Sequence, residues 1–283
     1  MKKNLRYLPC LLALSPAFSA DTPWIPAAQQ LDVDLTLVTQ AYDQFWLGKQ
    51  KLSTKNAFGG DGKVTQKTAT VSGVYGITDW LAADLAIGYT DIDFKPLNKT
   101  DSGLNDTTLG LQARVLDENN PLCAYLPTIS VRLGGIIKGT YETDIGTPTA
   151  AGLGTGGYDA SLALGRFFVS TGTAVFASGG FRDYASDVPT VRYWSLGASQ
   201  DIASQASIHA IYRGSSSSSG VDIGGPGFTG DFTVVKEERE SIEGGVTYIG
   251  YPNARIGIFV ARVFDGRNIG QDMVLGINGG YSF

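Results

Sequence analysis

Along most of the chain, apolar residues alternate with small or polar ones at a period of two, the pattern of β-strands with one greasy face. Leu31, Val33, Leu35 and Leu37 stand against Asp32, Asp34 and Thr36. Ala69, Val71, Gly73 and Tyr75 oppose Thr68, Thr70, Ser72 and Val74, and Leu81, Ala83, Leu85, Ile87 and Tyr89 oppose Ala82, Asp84, Ala86, Gly88 and Thr90. The same holds for 107–115, where Leu109, Leu111, Ala113 and Val115 face Thr108, Gly110, Gln112 and Arg114, and for 129–137, set against Ser130, Arg132, Gly134 and Lys138. Further segments follow at 158–168, 173–184, 191–200, 206–213, 234–249, 254–264 and 273–283, twelve in all. Two of them, 173–184 and 254–264, are apolar on both faces, so ten and fourteen remain as even alternatives for a single-chain barrel.

The connections sort by length. Those at 76–79, 170–172, 201–205 and 250–253 are short, with a longer one at 117–126. The intervening ones, 48–63, 91–104, 140–157, 214–231 and 265–272, are longer and rich in Gly, Ser, Asp and Lys, with only 185–190 short among them. Membrane barrels are built this way, with the short turns periplasmic. The face that is not greasy is mostly Gly, Ser, Thr and Ala with sparse charge, whereas a soluble sandwich exposes many Lys and Glu to protect its edges. That composition suits a confined polar lumen, and closure satisfies every backbone hydrogen bond in hydrocarbon. The mature chain has no apolar run of 18 residues and no sustained spacing of three and four, which excludes membrane helices and an amphipathic bundle. Aromatic residues at strand boundaries, Tyr42, Phe45, Trp46, Tyr75, Trp80, Tyr89, Tyr158, Tyr184, Tyr193, Trp194, Tyr212, Tyr248, Tyr251 and Tyr281, fit membrane-interface girdles. The fold expected is all-β: a single transmembrane antiparallel β-barrel.

The ends sharpen this. Lys2, Lys3 and Arg6 precede an apolar stretch, 8–18, interrupted by Pro9 and Pro16, and then the small residues Ala17, Ser19 and Ala20 before Asp21. This is the order of a cleaved secretory signal peptide. The expected organisation is a signal peptide over 1–20, a periplasmic N-terminal segment over 21–30 and the barrel over 31–283. Cleavage removes Cys10, leaving Cys123 alone, so no internal disulfide is expected. It also moves the formal charge from −5 to −8, with 19 basic against 27 acidic residues, which excludes a nucleic-acid partner. At the other end Leu275, Ile277, Tyr281 and Phe283 share one face, and Tyr281 with Phe283 forms a C-terminal signature of the kind read by the barrel-assembly machinery. The expected location is the outer membrane of a Gram-negative-type bacterium, in contact with its lipid.

Candidate chemistry is thin. His209 is the sole histidine, expected inward beside Ser207, but a hydrolase needs an orienting partner and an activated serine, and neither is evident. One His and one Cys make no metal site, and no cofactor is implied. The run 152–157 lacks the strand and helix of a phosphate loop and is read as flexible loop, as is the serine run 215–219. Asp91, Asp93, Asp101 and Asp106 lack the spacing of a calcium loop. The informative charges are those expected to line the pore: Asp84, Asp106, Arg114, Arg132, Lys138, Asp159, Arg213 and Glu243, joined by His209. Placed toward lipid, Arg or Lys would cost about 2–4 kcal/mol at the midplane. In the lumen they either pair and plug it or form a mixed-charge constriction.

The stretch Val74-Tyr75-Gly76-Ile77-Thr78-Asp79-Trp80-Leu81 and the later Asn105-Asp106-Thr107-Thr108-Leu109-Gly110-Leu111 resemble the outer-membrane transporter family associated with meta-pathway phenol degradation. The resemblance implies a channel for small, aromatic or hydrophobic molecules and supplies no site residue. Twelve strands also lie between filled eight-stranded barrels and aqueous sixteen-stranded porins, in keeping with a narrow passive channel for a small-molecule solute. A barrel enzyme acting on lipid or peptide, and a plugged structural or surface-interaction barrel, are the alternatives. The sequence specifies neither the solute nor an oligomeric state.

Overall fold

The computed structural model describes residues 21–121, 125–140, 153–185, 187–251 and 253–283; the segment 1–20 expected to be a signal peptide, with Cys10, together with Cys123 and Gly152, lies outside them. The strands are β1 (Leu31–Tyr42), β2 (Gln44–Leu47), β3 (Gln50–Ser53), β4 (Val64–Thr78), β5 (Leu81–Phe94), β6 (Lys99–Leu104), β7 (Thr107–Leu116), β8 (Thr128–Ile137), β9 (Gly157–Phe168), β10 (Thr173–Tyr184), β11 (Val191–Ala203), β12 (Ala206–Ser217), β13 (Glu238–Tyr251), β14 (Ala254–Arg267) and β15 (Met273–Ser282). Twelve of them, β1, β4, β5 and β7 to β15, form a meander in which each pairs antiparallel with its neighbours in sequence. The meander closes because β1 pairs with both β4 and β15: Leu35 sits opposite Val71 on one side and Gly279 on the other. Phe283 seals the seam, its N–H donating to the Leu31 carbonyl at 2.8 Å. The sheet therefore has no open edge across the membrane-spanning region.

Burial runs opposite to that of a soluble protein. Thr90 and Thr128 are fully buried, and Ser130, Gln112, Arg132, Asp159 and Glu243 nearly so, while Leu275 is 57% exposed, Val260 56% and Leu133 65%. In water such a surface would aggregate; facing acyl chains it needs no second layer. Period two along each strand sends one set of residues to lipid and the other to the lumen, which is why the alternation in sequence carries over directly.

Several expectations change in detail. The segment 234–249 enters its strand only at Glu238, while β12 extends through Ser217, so the serine run begins inside the wall, paired with β11 and β13. The connection 48–63 is built rather than loose. It holds β3 and a single-turn helix, α1 (Thr54–Phe58), capped by Ser53 and ended by Gly59 at φ 86°. Phe58 packs between Phe45 and Phe94, ring centroids 4.9 Å from each, over Val64 and Ile92. This small apolar core caps the extracellular end of β1, β4 and β5.

The girdle divides. Tyr75, Trp80, Tyr89, Tyr158, Trp194, Tyr248 and Tyr281 are exposed on the outer wall, where Trp194 meets Tyr212 edge-on and Tyr212 stacks on Phe264. Phe45 and Trp46 are instead buried under the extracellular connections, since the β2–β3 hairpin folds onto the barrel end: Trp46 N–H donates to the Ile269 carbonyl at 2.8 Å. The Tyr251 side chain lies outside the described residues.

Candidate functional site

The lumen is crossed by charge pairs that begin on the polar side of the strands. On β8, Arg132 donates from Nε and Nη2 to both carboxylate oxygens of Asp84 on β5, at 2.8 and 2.6 Å, and from Nη1 to Asp159 on β9. All three side chains are at most 7% exposed. To reach Asp84, Arg132 must lie flat across the intervening strand β7, and Gly110 lets it: a Cβ there would stand 2.5 Å from Nη2. Gly134, beside Asp159 in register, leaves the matching space on the other side, where a Cβ would come within 2.4 Å of Oδ1. Two glycines thus allow one guanidinium to tie β5, β8 and β9.

A second group forms on β12 and β13. Arg213 lies 3.1 Å from Glu243 and 3.3 Å from Asp21, and His209 Nε2 stands 3.3 Å from Glu243 Oε1. The structure therefore gives His209 the carboxylate partner that the sequence did not reveal, though no hydroxyl hydrogen-bonds to its Nε2 among the described residues. A third pair, Arg255 with Asp34, joins β14 to β1 near the periplasmic end. Arg182 on β10 also approaches Asp159, at 3.9 Å, so four arginines face five carboxylates and the charges are paired with a small acidic excess.

The remaining charges expected in the pore sit at its ends. Arg114 is at the periplasmic turn, bonded to the Asp79 carbonyl and 3.3 Å from Asp117. Asp106 accepts from the Gly139 and Leu153 N–H groups at 2.9 and 3.0 Å, anchoring an extracellular connection. Lys138 is exposed one residue beyond β8. For Asp106 and Lys138 strand length decides: the polar-face parity continues past the last paired residue, but the wall does not, whereas Arg114 is still paired with Ser130 and turns to the periplasmic end. Tyr281 and Phe283 lie outside, with ring centroids 4.7 Å apart. Among the described residues no group of three or more His, Cys, Asp or Glu is arranged to hold a metal.

The largest feature missed in the sequence is the N-terminal segment. Expected on the periplasmic side, residues 21–24 instead enter the barrel from it. Ala28 and Gln29 are fixed to the periplasmic turn, their N–H groups donating to Asp79 Oδ1 and to the Gly76 carbonyl. From there the chain turns inward. Glu118 receives Trp24 Nε1 at 3.0 Å, and the Trp24 ring meets Phe176 edge-on at 6.3 Å. Ser130 donates to the Pro23 carbonyl, and Gln112 Nε2 to the Thr22 carbonyl at 2.9 Å. Asp21 accepts from Ser178 at 3.1 Å in mid-barrel. These partners lie on β7, β8, β10 and β12 or in the turn that follows β7. The signal available was Pro23 and Pro26 around Trp24-Ile25: a stiff, apolar-bearing stretch where a solvated tail would be polar.

The opposite wall is different in kind. Gln40 on β1 donates to Gln66 on β4 at 2.9 Å, and Thr68 bonds Thr90 on β5 at 2.9 Å, with Thr70 alongside. These amides and hydroxyls are uncharged, and Gln40, Gln66, Thr68 and Thr70 are partly exposed to the interior.

At the extracellular mouth the connection 218–237 is clamped inward. Asp222 accepts two bonds from Arg267, each 2.7 Å, and one from Asn268 at 2.9 Å; the Arg267 bonds hold its pKa down at about 2. Asp272 is buried beside Arg239, 3.6 Å away, and burial raises its pKa to about 6, the arginine offsetting part of that. Its folded value exceeds the ordinary 3.8, so the folded chain holds the extra proton between the two. Asp272 thus contributes stability that is full below pH about 4 and lost as pH rises through about 6. The unfolding midpoint is expected to show a downward component over that window which Asp272→Asn removes, checked by heat-dependent gel mobility at stepped pH.

No family model matches the sequence, and no curated protein matches it. Among solved structures, the barrel is similar to an outer membrane channel from Pseudomonas putida F1, with a TM-score of 0.71 at 15% identity over 94% of this chain and 98% of that one. It is also similar to the translocator domain of the autotransporter NalP from Neisseria meningitidis (TM-score 0.53, 12% identity, 91% and 90% covered) and to the NanC porin (0.50, 9%, 87% and 98%). The likeness is one of fold, a closed antiparallel β-barrel, and the apolar outer wall of this chain is of the kind that faces lipid.

Proposed function

We propose that the protein is a narrow passive channel for small solutes, and that they pass along the uncharged stretch of β1 and β4 that carries Gln40, Gln66, Thr68 and Thr70. The observation carrying this reading is the asymmetry of the lumen. The N-terminal segment and its charged partners occupy the side made by β7 to β12, and Gln40, Gln66, Thr68 and Thr70 opposite are left partly exposed to the interior, with Thr90 buried behind Thr68. Such a wall offers hydrogen bonds without fixed charge, which suits neutral molecules carrying one or two polar groups on an apolar body. Small aromatic alcohols are of this kind, within the broader class of small, aromatic or hydrophobic molecules that the sequence resemblance implies. The outer membrane channel from Pseudomonas putida F1, similar in fold, supports the reading at the level of architecture.

In this proposal the paired lumen charges, including His209 held by Glu243, shape the path and take no part in bond making. Tyr281 and Phe283 serve assembly into the membrane. Refolded protein in a planar bilayer is expected to give small, stepwise currents with a weak cation preference, reflecting the slight acidic excess. Proteoliposomes should swell faster in small neutral solutes than in anions of equal size. Absence of any stepwise current, together with no swelling for any solute, would overturn the channel.

A further inference from the structure

The outer wall carries a second feature that the channel does not use. At the extracellular end of β14, β15, β1 and β4, a surface groove of about 380 Å³ is lined by Arg262, Lys51 and Lys63 around Ala41, Gln44 and Met273. Arg262 is exposed on the lipid-facing side of β14, opposite Met273, which in turn faces Ala41. Lys67 points the same way on β4, opposite Thr39. The carboxylates of the groove are engaged: Asp43 lies 3.9 Å from Lys63, and Asp272 is turned to Arg239. Lys51 lies over the Trp46 ring at 5.5 Å, and Arg262 and Lys67 have no ion-pair partner among the described residues.

Apart from Thr39, the rows beneath these cations are apolar. Moving toward the membrane centre, the outward residues run Val260, Leu275 and Thr39, then Ile258, Ile277, Leu37 and Ala69, then Ile256, Leu35 and Val71. A cationic row at the top of a four-strand apolar face, on a chain with an acidic balance overall, is charge placed for a ligand that combines acyl chains with anionic groups. Because the long connections mark this end as extracellular, the lipid met here is that of the outer leaflet.

We propose that this face is a binding site for a phosphorylated, multiply acylated glycolipid of the outer leaflet. Its acyl chains lie along the Val260–Leu275 and Ile258–Ile277–Leu37 rows, and its phosphate is held by Arg262 with Lys63 and Lys51. Arginine suits this place because its fork meets two phosphate oxygens at once.

The test is native mass spectrometry of the refolded full chain in neutral detergent, with lipid A carrying two phosphates and the same lipid with both removed as probes. Wild type is expected to retain one phosphorylated lipid at least tenfold more than the phosphate-free form. The variant Arg262→Gln/Lys63→Gln/Lys51→Gln should lose that preference, while Arg192→Gln, outside the groove, keeps it. Heat-dependent gel mobility reports folding, and if the triple variant does not fold, Arg262→Gln alone should lower retention by threefold or more. Equal retention of the two lipids by wild type, or undiminished preference in a folded groove variant, would overturn the site. Neither result depends on whether the barrel conducts.

Discussion

Replacing Arg132 by alanine should destabilise the barrel by about 3 kcal/mol and make its current more cation-selective. The stability change follows from what is left behind. Asp84 and Asp159 are 7% and 5% exposed, and Arg132 is their shared partner. Removing one member of a buried charge group typically costs about 3–5 kcal/mol, because the remaining charges stay desolvated and unpaired. The lower end applies because water from the lumen can enter the space the guanidinium vacates. The selectivity change follows from charge: Asp84 loses its counter-ion in a narrow passage and Asp159 keeps only the more distant Arg182, 3.9 Å away. Arg132→Lys should recover only part of either effect, since an ammonium cannot hold both oxygens of Asp84 while spanning β7 to Asp159. Arg132→Met combined with Asp84→Asn and Asp159→Asn should regain most of the stability without the selectivity change. Denaturant midpoints in detergent and reversal potentials under a salt gradient measure the two effects. An unchanged midpoint for Arg132→Ala would mean that the triad contributes nothing to the fold.

The triad also marks where sequence reading succeeded and where it stopped. Lipid outside and a polar lumen inside impose a period of two on every spanning strand, so the twelve strands and the inward faces of Asp84, Arg132, Asp159, Arg213 and Glu243 were legible from alternation alone. Their pairing was not. Arg132 and Asp84 are 48 residues apart, and their contact depends on the stagger of β5, β7 and β8 and on the absence of a side chain at Gly110. Parity also overran the strands, carrying Lys138 and Asp106 into a wall that ends before them. In the β2–β3 hairpin the rule fails differently, because Phe45 and Trp46 bury against loops that a periodicity cannot represent. The N-terminal segment has no period at all. Its place is set by Trp24, by two prolines, and by hydrogen-bonding groups on β7, β8, β10 and β12 that converge only once the barrel has closed.

Deleting residues 21–26, the stretch that precedes the turn anchored at Gly76, should raise single-channel conductance by about 1.5- to twofold without unfolding the barrel. With strands about 4.8 Å apart and tilted by about 40°, twelve of them enclose a cylinder about 24 Å across between backbones. Side chains take up about 5 Å on each side, leaving an opening of about 150 Å². An extended peptide fills about 50 Å² of that, so its removal enlarges the free section by about half. The fold should persist because the β1–β15 seam does not involve this segment. Arg213 keeps Glu243 when Asp21 is gone, so no lumen cation is stranded. Trp24 is only partly buried, and losing its contact with Phe176 should lower the unfolding midpoint by a few degrees. If the current is unchanged, the limiting constriction lies at another level of the lumen, and the Arg132 group, whose partners do not include the segment, becomes the gate. If conductance rises while the preference for neutral solutes is retained, the Gln40–Gln66 wall is what selects, since removing the segment leaves that wall untouched.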